Sequence, residues 1–239
     1  MTDRSYRSLL LNLLRQDNLD EATFLRNLDE TQRNATGTPQ LWSAKAHIAH
    51  RAYWTQDFVF NVRAILQGQE PVARSESDDQ INARIFERQR EQSWAQVQAE
   101  SQRSYQELVH LIEQLNDEDL METERFRAIS DGYPLYGVIL GLCYEHGQEH
   151  LAQYYSDHHQ LDKAIEIREM CVERILRADP PLPNWLQANF LYNLASFYQE
   201  HGLLDYADVL LQRVCLLAPE LQERVLRDPH MSKLLERTA

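Results

Sequence analysis

Residues 41–54 read LWSAKAHIAHRAYW, and this stretch has the pattern of a long helix with two histidines and a tryptophan on its inward face. Ser43 is of the residue type that commonly caps helix N-termini, and apolar residues recur at helical spacing to about residue 67. His47, His50 and Trp54 follow one another at intervals of three and four residues, which places them on one face. The stretch therefore predicts a helix that directs imidazoles toward the interior.

The composition favours an all-α protein. The 239 residues include only 7 glycines and 8 prolines, and they are rich in Leu, Ala, Glu, Gln and Arg, which lose little side-chain freedom in a helix. Apolar residues at helical spacing predict four further helical segments: residues 9–28 (one helix, or two joined near Asp17), 78–89, 93–115 and 135–157. The polar stretch 68–79 is typical of a crossover connection rather than a tight turn.

The pattern changes from long helices to short paired ones beyond residue 160. Asp179 is followed by Pro180-Pro181-Leu182-Pro183, which should end a helix firmly because proline lacks an amide donor and restricts the residue before it. We therefore expect two domains, residues 1–160 and residues 161–239.

The charge and cysteine content limit the location and the partners. A formal net charge of −13 repels nucleic acid phosphates and anionic membranes, and no basic run offsets it. The three cysteines form no CxxC pair, which fits a reducing compartment. With no targeting or spanning segment recognised, we expect a cytoplasmic protein that contacts neither nucleic acid nor membrane.

A histidine pair stands in residues 144–155, YEHGQEHLAQYY. His146 and His150 are four residues apart, so on a helix their Cβ atoms lie about 6 Å apart and both rings could reach one metal ion. Such a pair also arises on helix faces that bind nothing. A third imidazole from a facing helix, His50 or alternatively His47, would complete a tripod that leaves zinc or nickel an open position for chemistry.

Several motifs together resemble the DinB-like superfamily, specifically its ClbS/DfsB branch. They are Trp42-Ser43-Ala44-Lys45 with His50 and Trp54, the segment from Asp78-Asp79-Gln80-Ile81-Asn82 to Phe86, Trp94-Ala95-Gln96-Val97, residues 115–120, and Gly141-Leu142-Cys143-Tyr144-Glu145-His146 with His150. The resemblance implies a four-helix bundle with a long crossover between its second and third helices. It also implies a metal site made by one histidine of the second helix and the pair of the fourth, here His50, His146 and His150.

Five further residues are candidates for a pocket at this site. His47 could orient a ligand or replace His50, or it could be a packed, hydrogen-bonded residue. Cys143 could line the pocket or be a small buried residue. Glu149 could orient a ligand or be solvated surface, and Trp54 and Tyr154 could form a pocket wall or belong to the core.

The last third of the chain resembles a tetratricopeptide repeat over residues 188–221. The resemblance rests on Leu191, Leu194, Ala195, Tyr198, Gly202, Ala207, Leu211 and Pro219, which fall on the spacing of that repeat. It implies a helical hairpin that binds a peptide or protein, or one that serves as a cap or dimerisation element. A homodimer is the common outcome for such helical folds.

Two functions follow as hypotheses. The first is a metal-dependent hydrolase or thiol-dependent transferase that acts on a reactive small molecule in detoxification or stress. The resemblance supports it, because DinB-like relatives include thiol-dependent transferases and the ClbS branch is associated with inactivating a reactive toxin by hydrolysis. The second is a non-catalytic scaffold that recruits a protein partner through residues 161–239.

Overall fold

The structure is a computed structural model that describes residues 5–72 and 74–235. Within those residues it contains helices and no β-strand, so the all-α prediction is confirmed. No helix in this part of the chain combines the length and the apolar character needed to cross a bilayer. The chain divides into two compact units, Met1–Ile165 and Glu166–Ala239, and the division falls inside a helix.

The first unit is built on four long helical stretches that pack side by side. Its helices are α1 (Tyr6–Asn27), α2 (Glu30–Asn34), α3 (Ala44–Leu66), α4 (Asp78–Glu91), α5 (Trp94–Gln114), α6 (Asp117–Met121), α7 (Arg127–Ser130), α8 (Leu135–Ile139) and α9 (His146–Asp157). Helix α3 packs against α4, α5 and α9, and α1 packs against α5 and α9. Buried leucines and isoleucines such as Leu10, Ile48 and Leu111 fill the space between them.

Serine caps fix where three of these helices begin. Ser43, Ser77 and Ser93 each accept a hydrogen bond from a backbone N–H in the first turn of α3, α4 and α5. In α4 and α5 a glutamine in the third helical position also accepts from the backbone N–H of the cap, which completes a capping box. Local sequence therefore sets the start of α3, and with it the register of the histidines on that helix.

The last long stretch of the first unit is not a regular α-helix. Between α8 and α9 lies a π-helical segment, Leu140–Glu145, whereas the sequence predicts one uninterrupted helix from residue 135. A π-turn contains an extra residue and rotates the side chains that follow it. Because α9 begins at His146, the segment sets the direction in which His146 and His150 point.

The second unit is also helical in its described residues. Helix α10 (Leu161–Leu176) enters it, and α11 (Asn184–Glu200), α12 (Leu204–Leu217), α13 (Gln222–Arg227) and α14 (Pro229–Leu235) follow, with a 3₁₀ turn at Pro219–Leu221. Helices α11 and α12 form a hairpin, and the small residues Ala195 and Ala207 are fully buried. Gly202 makes the turn between them with a φ of +73°, a conformation that glycine adopts at low cost.

Candidate metal centre

Three histidines from two helices converge in the first unit. Nε2 of His50 on α3 lies 3.1 Å from Nε2 of His146 on α9, which in turn lies 2.7 Å from Nε2 of His150. The rings of His50 and His150 are 4.3 Å apart at their centroids. One ring nitrogen from each residue thus faces a common point, although residues 50 and 146 are far apart in sequence.

Burial keeps these imidazoles neutral. It lowers the pKa of His50 to about 3, with a further contribution from the neighbouring imidazoles and Arg51. Burial and then Arg51 lower the pKa of His146 to about 4, and burial places the pKa of His150 well below its ordinary value. At neutral pH all three rings therefore have a lone pair to offer, which is the form that binds metal.

The donor set fits a divalent transition metal. Three neutral imidazole nitrogens form a tripod of the kind that zinc and nickel accept, and in the described residues these three histidines are the group whose ligand atoms lie within 4.8 Å of one another. Nδ1 of His150 has a polar contact on the far side of the ring, 3.0 Å from Nδ1 of His47. Support of this kind on the second nitrogen is common among metal-binding histidines.

The convergent nitrogens line a cavity of about 860 Å³, a volume suited to a drug-sized ligand. Two indoles, Trp42 and Trp54, and the ring of Phe58 stand in its wall. Trp42 lies parallel to the ring of His150, at 5.8 Å between centroids. The site is therefore a pocket of mixed character, in which aromatic rings, charged side chains and imidazole nitrogens share the lining.

A family model matches this part of the chain. Residues 14–154 match the model of the DinB superfamily, which covers more than half of the chain and includes all three histidines. The chain belongs to the DinB superfamily. No curated protein and no solved structure gives a significant match to it. The second unit lies outside the matched residues.

The other pocket candidates take different places in this DinB protein. Trp54 lines the cavity, whereas His47, Cys143, Glu149 and Tyr154 are not among its lining residues. His47 is fully buried behind His150, and Tyr154 packs edge-on against His47 at 6.2 Å. Cys143 is buried on another side of the helix, and burial raises the pKa of its thiol strongly.

Sequence reasoning missed the wall that faces the histidines. Arg74, in the segment between α3 and α4, pairs with Asp57 and, at 3.3 Å, with Asp78, and its guanidinium lies 4.6 Å above the indole of Trp54. Asn82 accepts a hydrogen bond of 3.0 Å from Nε1 of Trp54. The four-residue interval between Arg74 and Asp78 was the available signal, but nothing in it indicates the pocket.

A buried charged network also escaped prediction. Arg51, next to His50, donates to Asp17 and pairs with Glu21 at 3.0 Å. Gln148, which lies between His146 and His150 in sequence, donates to Asp17 at 2.8 Å. The network links α1 to the two helices that carry the histidines.

Proposed function

We propose that this DinB protein is a metal-dependent enzyme, a hydrolase or thiol-dependent transferase that acts on a reactive small molecule. His50, His146 and His150 hold the metal, zinc or nickel. The observation that carries the proposal is the convergence of three neutral Nε2 atoms in the lining of a cavity large enough for an organic substrate. Members of the superfamily often bind metal, which supports the assignment.

The metal, when bound, supplies a Lewis acid that lowers the pKa of a coordinated water or thiol and so makes a nucleophile. The chain supplies the rest of the site. Trp42, Trp54 and Phe58 give an apolar wall that binds the body of the substrate and keeps out bulk water. The histidines stay unprotonated because His50 is buried and His146 and His150 are partly buried.

The other cavity residues point to the same chemistry. Among the described residues, the lining contains no Ser, Thr, Cys or Lys that could act as a covalent nucleophile. Its two carboxylates, Asp57 and Asp78, are both paired with Arg74, so neither is poised as a general base. The resemblance to the ClbS/DfsB branch favours hydrolysis of a reactive compound over thiol transfer.

Metal content tests the first half of the proposal. Protein purified without a histidine tag and incubated with zinc or nickel should hold about one equivalent after desalting, as measured by mass spectrometry of the metal. His146→Ala should lose that metal and keep its helical circular dichroism. His110→Ala is the matched control, because His110 is exposed on α5 and should retain the metal. Wild-type protein that takes up neither metal would contradict the proposal.

Reactivity tests the second half. The metal-loaded protein should accelerate hydrolysis of an activated ester such as 4-nitrophenyl acetate, or displacement of chloride from 1-chloro-2,4-dinitrobenzene by a low-molecular-weight thiol. The rate should follow metal occupancy across wild type, His146→Ala and His110→Ala. A rate that is equal in all three proteins would count against catalysis at this site.

A scaffold role is the second candidate, and one observation favours it. The second unit has a cavity of about 810 Å³ between α10, α11 and α12, and two of its lining residues, Tyr206 and Val209, are 63% and 64% exposed. An exposed apolar groove of this kind can accept a peptide. Metal-free wild-type protein that binds a partner, with binding lost on Val209→Glu, would support this function over the first.

A further inference from the structure

His47 lies on α3 one turn before His50 and is fully buried. Its Nδ1 is 3.0 Å from Nδ1 of His150, whereas Nε2 of His150 faces His146 at 2.7 Å. The atom of His150 that faces the convergence point and the atom that touches His47 are therefore the two different nitrogens of one ring.

The contact constrains where the protons lie. A neutral imidazole has one N–H, so a lone pair on Nε2 of His150 requires the proton to be on Nδ1. That N–H then points at Nδ1 of His47, which must accept it. His47 in turn must carry its own proton on Nε2.

The surroundings of His47 offer its ring no other hydrogen-bond partner among the described residues. Trp42 lies 5.4 Å and Tyr154 lies 6.2 Å from the ring of His47 at their centroids. In the described part of the chain, its buried Nε2 has no hydrogen-bond partner. An apolar side chain would fill the same space without leaving a polar atom unpaired, so the contact with His150 is what the imidazole adds.

We propose that His47 is a positioning residue for the metal site. Its Nδ1 accepts the hydrogen bond from Nδ1–H of His150, which fixes the rotation of that ring and keeps the Nε2 lone pair directed at the convergence point. This inference rests on the proposed function, because it concerns a ligand of the same site. Loss of such a partner typically weakens metal binding by about 10- to 100-fold.

Three substitutions separate hydrogen bonding from packing. His47→Asn places an amide oxygen the same number of bonds from Cβ as Nδ1, so it can still accept from His150. His47→Gln places that oxygen one bond farther out, and His47→Leu has no acceptor. Zinc affinity is measured with zinc alone, in competition with a chelator of known affinity. We expect His47→Asn to stay within about threefold of wild type, and the other two to bind about 10- to 100-fold more weakly.

Nitrogen-15 NMR of zinc-loaded wild-type protein gives a readout that needs no substitution. The imidazole shifts report which nitrogen carries the proton in each ring. We expect the proton of His150 on Nδ1 and the proton of His47 on Nε2. A role in packing alone would not fix this pair of tautomers.

The outcomes distinguish the inference from the proposed function. Wild-type protein that binds neither zinc nor nickel overturns both. Wild-type protein that binds zinc, with His47→Leu equally tight, overturns the positioning role alone, and so does a proton found on Nδ1 of His47. If His47→Leu fails to fold, as judged by circular dichroism, the tautomers of the wild-type protein decide the matter.

Discussion

Arg51 and Asp17 form a buried ion pair beside the three-histidine site. Nη2 of Arg51 lies 2.8 Å and 3.0 Å from the two carboxylate oxygens of Asp17, and both side chains are 9% exposed. Glu21 shares the same guanidinium at 3.0 Å. Two negatively charged carboxylates thus share one positively charged guanidinium among side chains that are nearly buried. We expect this excess of negative charge to affect the stability of the protein and the packing of α9.

The pH dependence of stability should reveal this excess of negative charge. Burial, opposed by Arg51, raises the pKa of Asp17 to about 6. A carboxyl whose pKa is higher in the folded protein than in the unfolded chain makes the fold less stable as the pH rises from about 4 to 6. For Asp17 this loss amounts to at most about 3 kcal/mol.

Asp17→Asn removes that titration. The free energy of unfolding of wild type, minus that of Asp17→Asn, should therefore decrease as the pH rises from 4 to 6. Urea unfolding at several pH values measures this difference. Titration of the histidines is common to both proteins and cancels in the difference. Glu91→Gln, which removes an exposed carboxyl, is the matched control for the loss of one negative charge. A difference that grows with pH would mean that Arg51 keeps Asp17 ionised.

Gly147 is needed where Arg51 packs against α9. A Cβ atom at this position would lie 2.6 Å from Nη2 of Arg51 and 3.0 Å from Oδ1 of Asp17. We expect Gly147→Ala to destabilise the protein by about 1–3 kcal/mol through overpacking, and to weaken zinc binding because it displaces the helix turn between His146 and His150.

Gly141→Ala is the matched control for that substitution. Gly141 lies in the π-helical segment, and a Cβ there would meet nothing within 4 Å. Alanine favours helix, so this variant should be as stable as wild type or slightly more stable. Urea unfolding and zinc titration of the two variants make the comparison. Equal stabilities for both alanine variants would rule out the steric role of Arg51.

Local signals were enough to predict the long helices of the first unit and the spacing within the histidine pair. Ser43 and Ser93 are caps that can be recognised from sequence, and α3 and α5 begin directly after them. His146 and His150 lie on one helix, so helix geometry alone brings their rings together. The helical spacing of apolar residues also predicted that the fourth long stretch begins at residue 135, where α8 begins.

Features that depend on tertiary packing could not be predicted in this way. The π-helical segment has no distinct apolar period, so the pattern at residues 140–145 looks like ordinary helix. The pairing of Arg51 with Asp17 joins two helices, and neither residue shows its partner in the sequence. His50 lies near His146 because α3 packs against α9, which the spacing of histidines does not determine.

Arg74 ties the segment between α3 and α4 to the cavity wall. It bridges Asp57 and Asp78, and the nearby backbone N–H of Val72 donates to Asn61 at 3.0 Å. Because the side chain of Arg74 is 39% exposed, Arg74→Ala should change global stability by less than about 1 kcal/mol. The substitution should instead loosen residues 67–72 and 74–77 locally.

Limited proteolysis can detect this loosening. A glutamate-specific protease should cut Arg74→Ala near Glu70 or Glu76 several times faster than it cuts wild type, while the urea midpoint stays close to wild type. Arg90→Ala removes another exposed ion pair, with Glu87, and should leave the cleavage rate unchanged. Equal cleavage of all three proteins would show that Arg74 does not hold the segment in place.

Asp228 organises the end of the second unit. Its Oδ1 accepts hydrogen bonds from the backbone N–H groups of His230 and Met231, at 2.9 Å and 3.2 Å, and so caps α14. Its Oδ2 accepts from the hydroxyl of Tyr192 on α11 at 2.9 Å. One carboxylate therefore joins the last helix to the helical hairpin.

Removing the carboxylate of Asp228 should destabilise the protein more than removing the hydroxyl of Tyr192. Asp228→Ala loses the cap and the bond to Tyr192, and we expect it to destabilise the protein by about 1–2 kcal/mol in urea unfolding of the full chain. Tyr192→Phe loses only the hydroxyl and should cost about 1 kcal/mol. Asp228→Asn is the conservative control, because its amide oxygen can still cap α14.

The double variant Asp228→Ala with Tyr192→Phe should be less destabilised than the sum of the two single variants, since both remove the same bond. Strict additivity would show that the hydroxyl and the carboxylate stabilise the unit independently.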